Sequence, residues 1–82
     1  MIPRALPKLL ADALHAGWNI DVCRETHRGV WAIVAQFDRD GTEVVLAWDL
    51  PTLRLIDRSI NGSPTPYTQC VALLKNPEGA PE

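Results

Sequence analysis

His15, Cys23, His27 and Cys70 are the side chains of this 82-residue chain best suited to metal ligation or nucleophilic chemistry. Zinc sites of the common kind bring such residues together in close pairs, two cysteines and then two histidines each a few residues apart. Here Cys23 and His27 stand four apart across a turn, and His15 and Cys70 belong to separate helical stretches, so the spacing predicts no metal centre. Cys23 and His27 also make a poor nucleophile and base, because no third residue orients the imidazole and no oxyanion hole is evident. Cys70 reads as a small core residue. Asp38 and Asp40 in "DRDG" read as turn formers, and Asp49 and Asp57 fall where strands are expected to end. Gly62 stands alone in "NGSPTP", where Pro64 and Pro66 withhold the amides a phosphate would need. These residue types predict no enzyme, no cofactor and no small-molecule ligand.

Binding chemistry has more to work with. The stretch "CRETHRG" gathers Arg24, His27 and Arg28 at an expected hairpin tip, and Arg54 and Arg58 follow in a later strand. Such a set could touch a phosphate backbone. The net charge of −2, however, lacks the basic excess from which nucleic-acid binders draw affinity through counterion release. Nucleic-acid association through these five residues is therefore the alternative reading, and a solvated turn is the bland one. Tyr67 beside "SPTP" reads as a helix-packing aromatic.

The elements that would position these residues follow from periodicity. Leu6, Leu10, Ala13 and Leu14, flanked by Leu9, fall at helical spacing, from a start near Pro3 or Pro7 to a stop at Gly17. The period then changes from about 3.6 to 2. "WNIDVCRE" alternates Trp18, Ile20 and Val22 with polar residues, and "THRG" turns. "VWAIVAQF" places Trp31, Ile33, Ala35 and Phe37 on one face and Val30, Ala32 and Val34 on the other. "DRDG" turns again, and "TEVVLAW" sets Val44, Leu46 and Trp48 against Val45 and Ala47. "TLRLIDRSI" is expected as a fourth, edge strand, with Leu53 and Leu55 opposed to Arg54, Ile56, Arg58 and Ile60, its arginines guarding the edge. "NGSPTP" reads as a loop. A closing helix is expected with Thr65 as N-cap, Pro66 at the first helical position, Cys70, Val71 and Leu74 buried, and Lys75 at its end. The fold class is therefore α+β: an N-terminal helix, a four-stranded antiparallel sheet and a short C-terminal helix, a two-layer sandwich with both helices on one sheet face. One domain is expected over residues 1–76, with 77–82 as a flexible tail. The order helix, strands, helix loosely resembles double-stranded RNA-binding domains. That resemblance implies a cluster of lysines in the closing helix, where this chain has only Lys75.

The central strands pose a question of their own. The helices can cover only one sheet face, yet Val30, Ala32, Val34, Val45, Ala47 and adjoining Ile56 make the opposite face apolar too. A sheet with a solvated face normally alternates apolar with polar. Twist and loops could cover these six residues, a second copy of the chain could, or a different protein could. Burying a valine side chain contributes about 1.5 kcal/mol, so a handful from each partner yields ~10 kcal/mol gross against association costs of ~4–15 kcal/mol. The expectation is a non-enzymatic interaction module that binds itself or a host protein through this face.

Composition sets the outer limits. Hydrophobic residues make up 46% and charged residues 22%, ordinary for a globular domain. No apolar run approaches the ~20 residues that span a bilayer, and Lys8, Asp12 and His15 interrupt the N-terminal stretch where a signal peptide would be apolar. A cytoplasmic location with reduced cysteines is expected. Arginine (Arg4, Arg24, Arg28, Arg39, Arg54, Arg58) prevails over lysine (Lys8, Lys75), and alanine is frequent. With the short length and the tryptophan-bearing strands, this style resembles the small orphan proteins of bacteriophages that infect actinobacteria. The resemblance implies a host-cell cytoplasmic location and no particular site residue.

Overall fold

The computed structural model describes residues 2–78. Its elements run α1 (Leu6–His15), β1 (Asn19–His27), β2 (Val30–Arg39), β3 (Thr42–Asp49), β4 (Leu55–Ile60), β5 (Ser63–Pro64) and α2 (Tyr67–Lys75). The strands form one antiparallel meander in the order β1-β2-β3-β4-β5. The α+β class and the order of the long elements are as expected; the sheet has five strands, not four. The fifth comes from "NGSPTP", where Ser63 and Pro64 pair with Ile60 and Ser59 and cover the end of β4 that the sequence left as an edge. A two-residue strand leaves no alternation to read.

Three of the strand connections are two-residue turns with positive φ at both central positions, the geometry that matches strand twist. They are Arg28–Gly29 (φ 54 and 82), Asp40–Gly41 (50 and 82) and Asn61–Gly62 (52 and 82). Aspartate and asparagine are ordinary occupants of the first position, because their short polar side chains tolerate the left-handed region. Arginine is not.

Both helices and one face of the sheet share a single core. Leu6, Leu9 and Ala13 of α1 and Cys70 and Leu74 of α2 bury against Ile33, Ala35, Phe37, Val44, Leu46 and Trp48. The α1 stripe is rotated from the one expected: Leu9 is buried, Leu10 lies at the margin and Leu14 is 70% exposed. Leu6, Leu9 and Ala13 keep the i, i+3, i+7 spacing of a buried stripe, so one more leucine on the helix left two faces nearly equal in sequence. Trp18, at the entry to β1, donates its indole N–H to the Leu74 carbonyl at 3.0 Å. That bond satisfies one of the carbonyls that the last turn of α2 leaves open and ties the two ends of the fold together. At the start of α2, Pro66 and not Thr65 is the N-cap residue. Pro66 keeps an extended ψ of 144°, and its carbonyl accepts from the amides of Gln69 and Cys70. The Thr65 hydroxyl instead donates to the Ser63 carbonyl. Of the expected tail, Glu78 pairs with Arg39 at 2.7 Å, and residues 79–82 lie outside the described residues.

β4 carries a register shift between Ala47 and Trp48 of its partner strand. Leu55 pairs with Trp48 and Asp57 with Ala47, so Ile56 is an extra residue. The bulge breaks the expected alternation. Arg58 and Ile60 pair with Leu46 and Val44 on the helix side, while Ile56 packs with Ala47 on the other. It also turns Asp57 to the far face, in mid-strand, where the sequence placed it at a strand end.

Candidate functional site

The middle of the far face is buried. Ala32, Val34 and Ala47 form a second, small core, each at most 1% exposed, with Cys23, Val45 and Ile56 packed around it. Only Val30, at 40% exposure, remains open among the six residues expected to meet a partner. The register does bring all six to one face, but Ala32, Val34 and Ala47 are buried within the chain. Of the expected apolar docking face, Ala32, Val34 and Ala47 are internal, Val45 and Ile56 are partly buried and Val30 is exposed.

The covering comes from the sheet itself. β1 and β4 are separated by β2 and β3, three strand spacings or about 14 Å in a flat sheet. Nevertheless His27 on β1 and Asp57 on β4 meet at 2.7 Å. The sheet must curl away from the helices along its diagonal until the His27 end of β1 meets the middle of β4. Small side chains at Ala32 and Ala47 permit that curvature, and the bulge at Ile56 sharpens it. The clasp includes a third group, Arg28, whose Nε lies 3.5 Å from the same Asp57 oxygen.

Burial alone would push the Asp57 carboxyl up. The hydrogen bond from His27 and the charges of Arg28 and His27 outweigh it, and hold the group below its ordinary value. Asp57 is thus a carboxylate and an acceptor, which makes His27 Nε2 the donor. Both side chains are mostly buried, at 22% and 17% exposure. The Cys23 thiol is pushed up by burial and by the hydrogen bond and charge of Glu25, with Asp21 adding to the effect. It stays a thiol, and four strand positions, about 13 Å, separate it from His27. Cys70 is also pushed up, first by burial, against the opposing charge of Arg58. Among the described residues, no group of three histidine, cysteine or carboxylate side chains is placed to hold a metal.

Two cavities flank the clasp. A groove of about 300 Å³ runs over the small core, edged by Glu25, His27, Val34, Val45 and Asp57. A second, of about 450 Å³, opens on the β5 side between Arg28 and Arg58, with Ile56, Pro64 and Pro66 as its apolar wall. Arg28, Asp57 and Pro64 border both. Compared with known proteins, the chain matches no family model, no curated protein and no solved structure.

The five residues singled out for nucleic acid divide. His27 and Arg28 belong to the clasp, and Arg58 lies beside the larger cavity. Arg24 pairs with Ile33 on the helix side of β1, and Arg54 lies in the β3–β4 loop, its carbonyl accepting from the Asp49 amide. That loop sits against the start of β2, where the Leu50 amide bonds the Trp31 carbonyl. Trp31 is 53% exposed, whereas Trp18 and Trp48 are buried. Sequence reasoning placed it under the helices. Its parity was right, but it lies beyond the helices' reach, at the end of the hairpin. What sequence reasoning missed was Asp57, whose partner lies 30 residues away.

Proposed function

We propose that the chain is a small non-enzymatic interaction module, of the phage-encoded kind its composition resembles, and that it meets a partner protein through the end of the molecule bearing Trp31 and Val30. The supporting observation is the exposure of Trp31 (53%) beside Val30 (40%), in a fold that buries its other tryptophans. Exposed tryptophans concentrate binding energy at protein interfaces, because a large rigid ring is desolvated at little entropic cost. The burial of Ala32, Val34 and Ala47 directs this reading to the hairpin end. The test is photo-crosslinking in host cells from a benzoylphenylalanine placed at residue 31, with Leu14, 70% exposed on α1, as the control position. A product of defined mass from residue 31 alone supports the reading, and a product of two chain masses identifies the partner as a second copy. Equal products from both positions, or none from residue 31, overturn it.

One observation favours a second reading, association with single-stranded nucleic acid. Arg24 and Arg54 have no ion-pair partner among the described residues and lie at the same end as Trp31. Bases stack on an exposed ring while arginines track the backbone. Binding of an oligonucleotide that weakens steeply with salt, and that Trp31→Ala abolishes, would support this. No mobility shift at low salt removes it.

A further inference from the structure

Arg28 occupies the first position of its turn with φ 54, where the two sister turns have Asp40 and Asn61. An arginine there works against the turn, and such local conflicts concentrate at functional positions. Arg28 and Arg58 both border the 450 Å³ cavity, at the stretch of β4 that β5 leaves uncovered. Arg28 approaches Asp57 through Nε, at 3.5 Å. Arg58 has no ion pair among the described residues. Asp57 is itself occupied by His27, leaving two guanidinium groups to one carboxylate around the space. Ile56, Pro64 and Pro66 add apolar surface to the wall, with Thr65 between the two prolines.

We propose that this cavity binds a phosphate monoester with an apolar or planar body of about nucleotide size, its oxyanion held between Arg28 and Arg58. Guanidinium pairs suit phosphate because their donors match its oxygens in a fixed fork. A cavity of this volume lies in the range that encloses small ligands. Arg28 belongs to the turn that leads into Val30 and Trp31, so the cavity borders the end of the molecule they occupy.

The test is calorimetric titration of the whole chain with phenyl phosphate, and with benzoate for comparison. Phenyl phosphate is expected to bind one to one. Arg58→Gln should weaken it at least tenfold, and Arg54→Gln, outside the cavity, less than twofold. Arg28→Asn should also weaken it at least tenfold while the turn is kept, since asparagine tolerates the left-handed conformation. Retention of the native circular dichroism spectrum by Arg28→Asn separates loss of the site from loss of the fold. No saturable binding overturns the proposal, as does an Arg54→Gln defect equal to that of Arg58→Gln. Benzoate binding as tight as phenyl phosphate overturns the assignment to phosphate.

Discussion

The two faces of the sheet solve the same problem by opposite means. On one side, large residues (Ile33, Phe37, Leu46, Trp48) bury under two helices. On the other, Ala32, Val34 and Ala47 bury with no element above them. The second face succeeds because the sheet curls over it and a polar clasp of His27, Asp57 and Arg28 bridges the gap. Its residues must be small, because curvature removes the space that a helix would otherwise fill. An apolar face in a small antiparallel sheet is thus not by itself a sign of a missing partner.

Charge should break the second face most severely. Val34 is 1% exposed, so Val34→Glu places an unpaired carboxylate within the small core. Burial of such a group is among the few mechanisms that cost more than about 4 kcal/mol, comparable to the whole stability of a domain this size, ~4–12 kcal/mol. The variant should lack a cooperative thermal transition. An open docking face would instead tolerate the change, and a folded Val34→Glu protein would return the face to solvent.

Deletion should rank the faces by size. Phe37→Ala, on the helix side, should cost about 3–5 kcal/mol through the cavity it leaves, read as a shift in denaturant midpoint. Val34→Ala removes far less volume and should cost about 1–2 kcal/mol. Enlargement gives the sharper contrast. Ala47→Leu should destabilise by about 1–3 kcal/mol, because Ala47 is fully buried between Ala32, Val34 and Ile56 in the small core. A stabilising Ala47→Leu would mean the curl opens easily and the clasp is a surface contact only.

Much of this architecture is legible in the sequence. The change of period at Gly17, the Asp-Gly turn and the parity of Ile33, Phe37, Leu46 and Trp48 locate the helices, strands and main core from local patterns alone. The division of Val34 and Ala47 from their neighbours is legible too. The curl is not. It depends on one bulge at Ile56, which shifts every side chain after it, and on a contact between two residues that no local pattern connects. Asp57 reads as a strand-end aspartate until the bulge places it beneath His27. Arg28 could have been noticed from sequence, as the one basic residue before a turn glycine where aspartate or asparagine stands in the other two turns.

The smallest effect tests how the clasp works. Because the Asp57 carboxyl is held below its ordinary value of 3.8, the folded state binds that proton more weakly than the unfolded chain does. Its contribution is therefore complete above that value and lost as pH falls through the lowered one. Asp57→Asn keeps an acceptor for His27 but removes the charge, so it should cost on the order of 1 kcal/mol at neutral pH. The difference in melting temperature between the two proteins should persist from pH 7 to about pH 5 and close below pH 4. A difference that stays constant to pH 3 would mean that the charge of Asp57 does not hold β4 to the His27 end of β1. The closure of the second face would then rest on the packing of Ala32, Val34 and Ala47 alone, and Arg28 would be held in its left-handed turn by the hairpin rather than by the carboxylate across the groove.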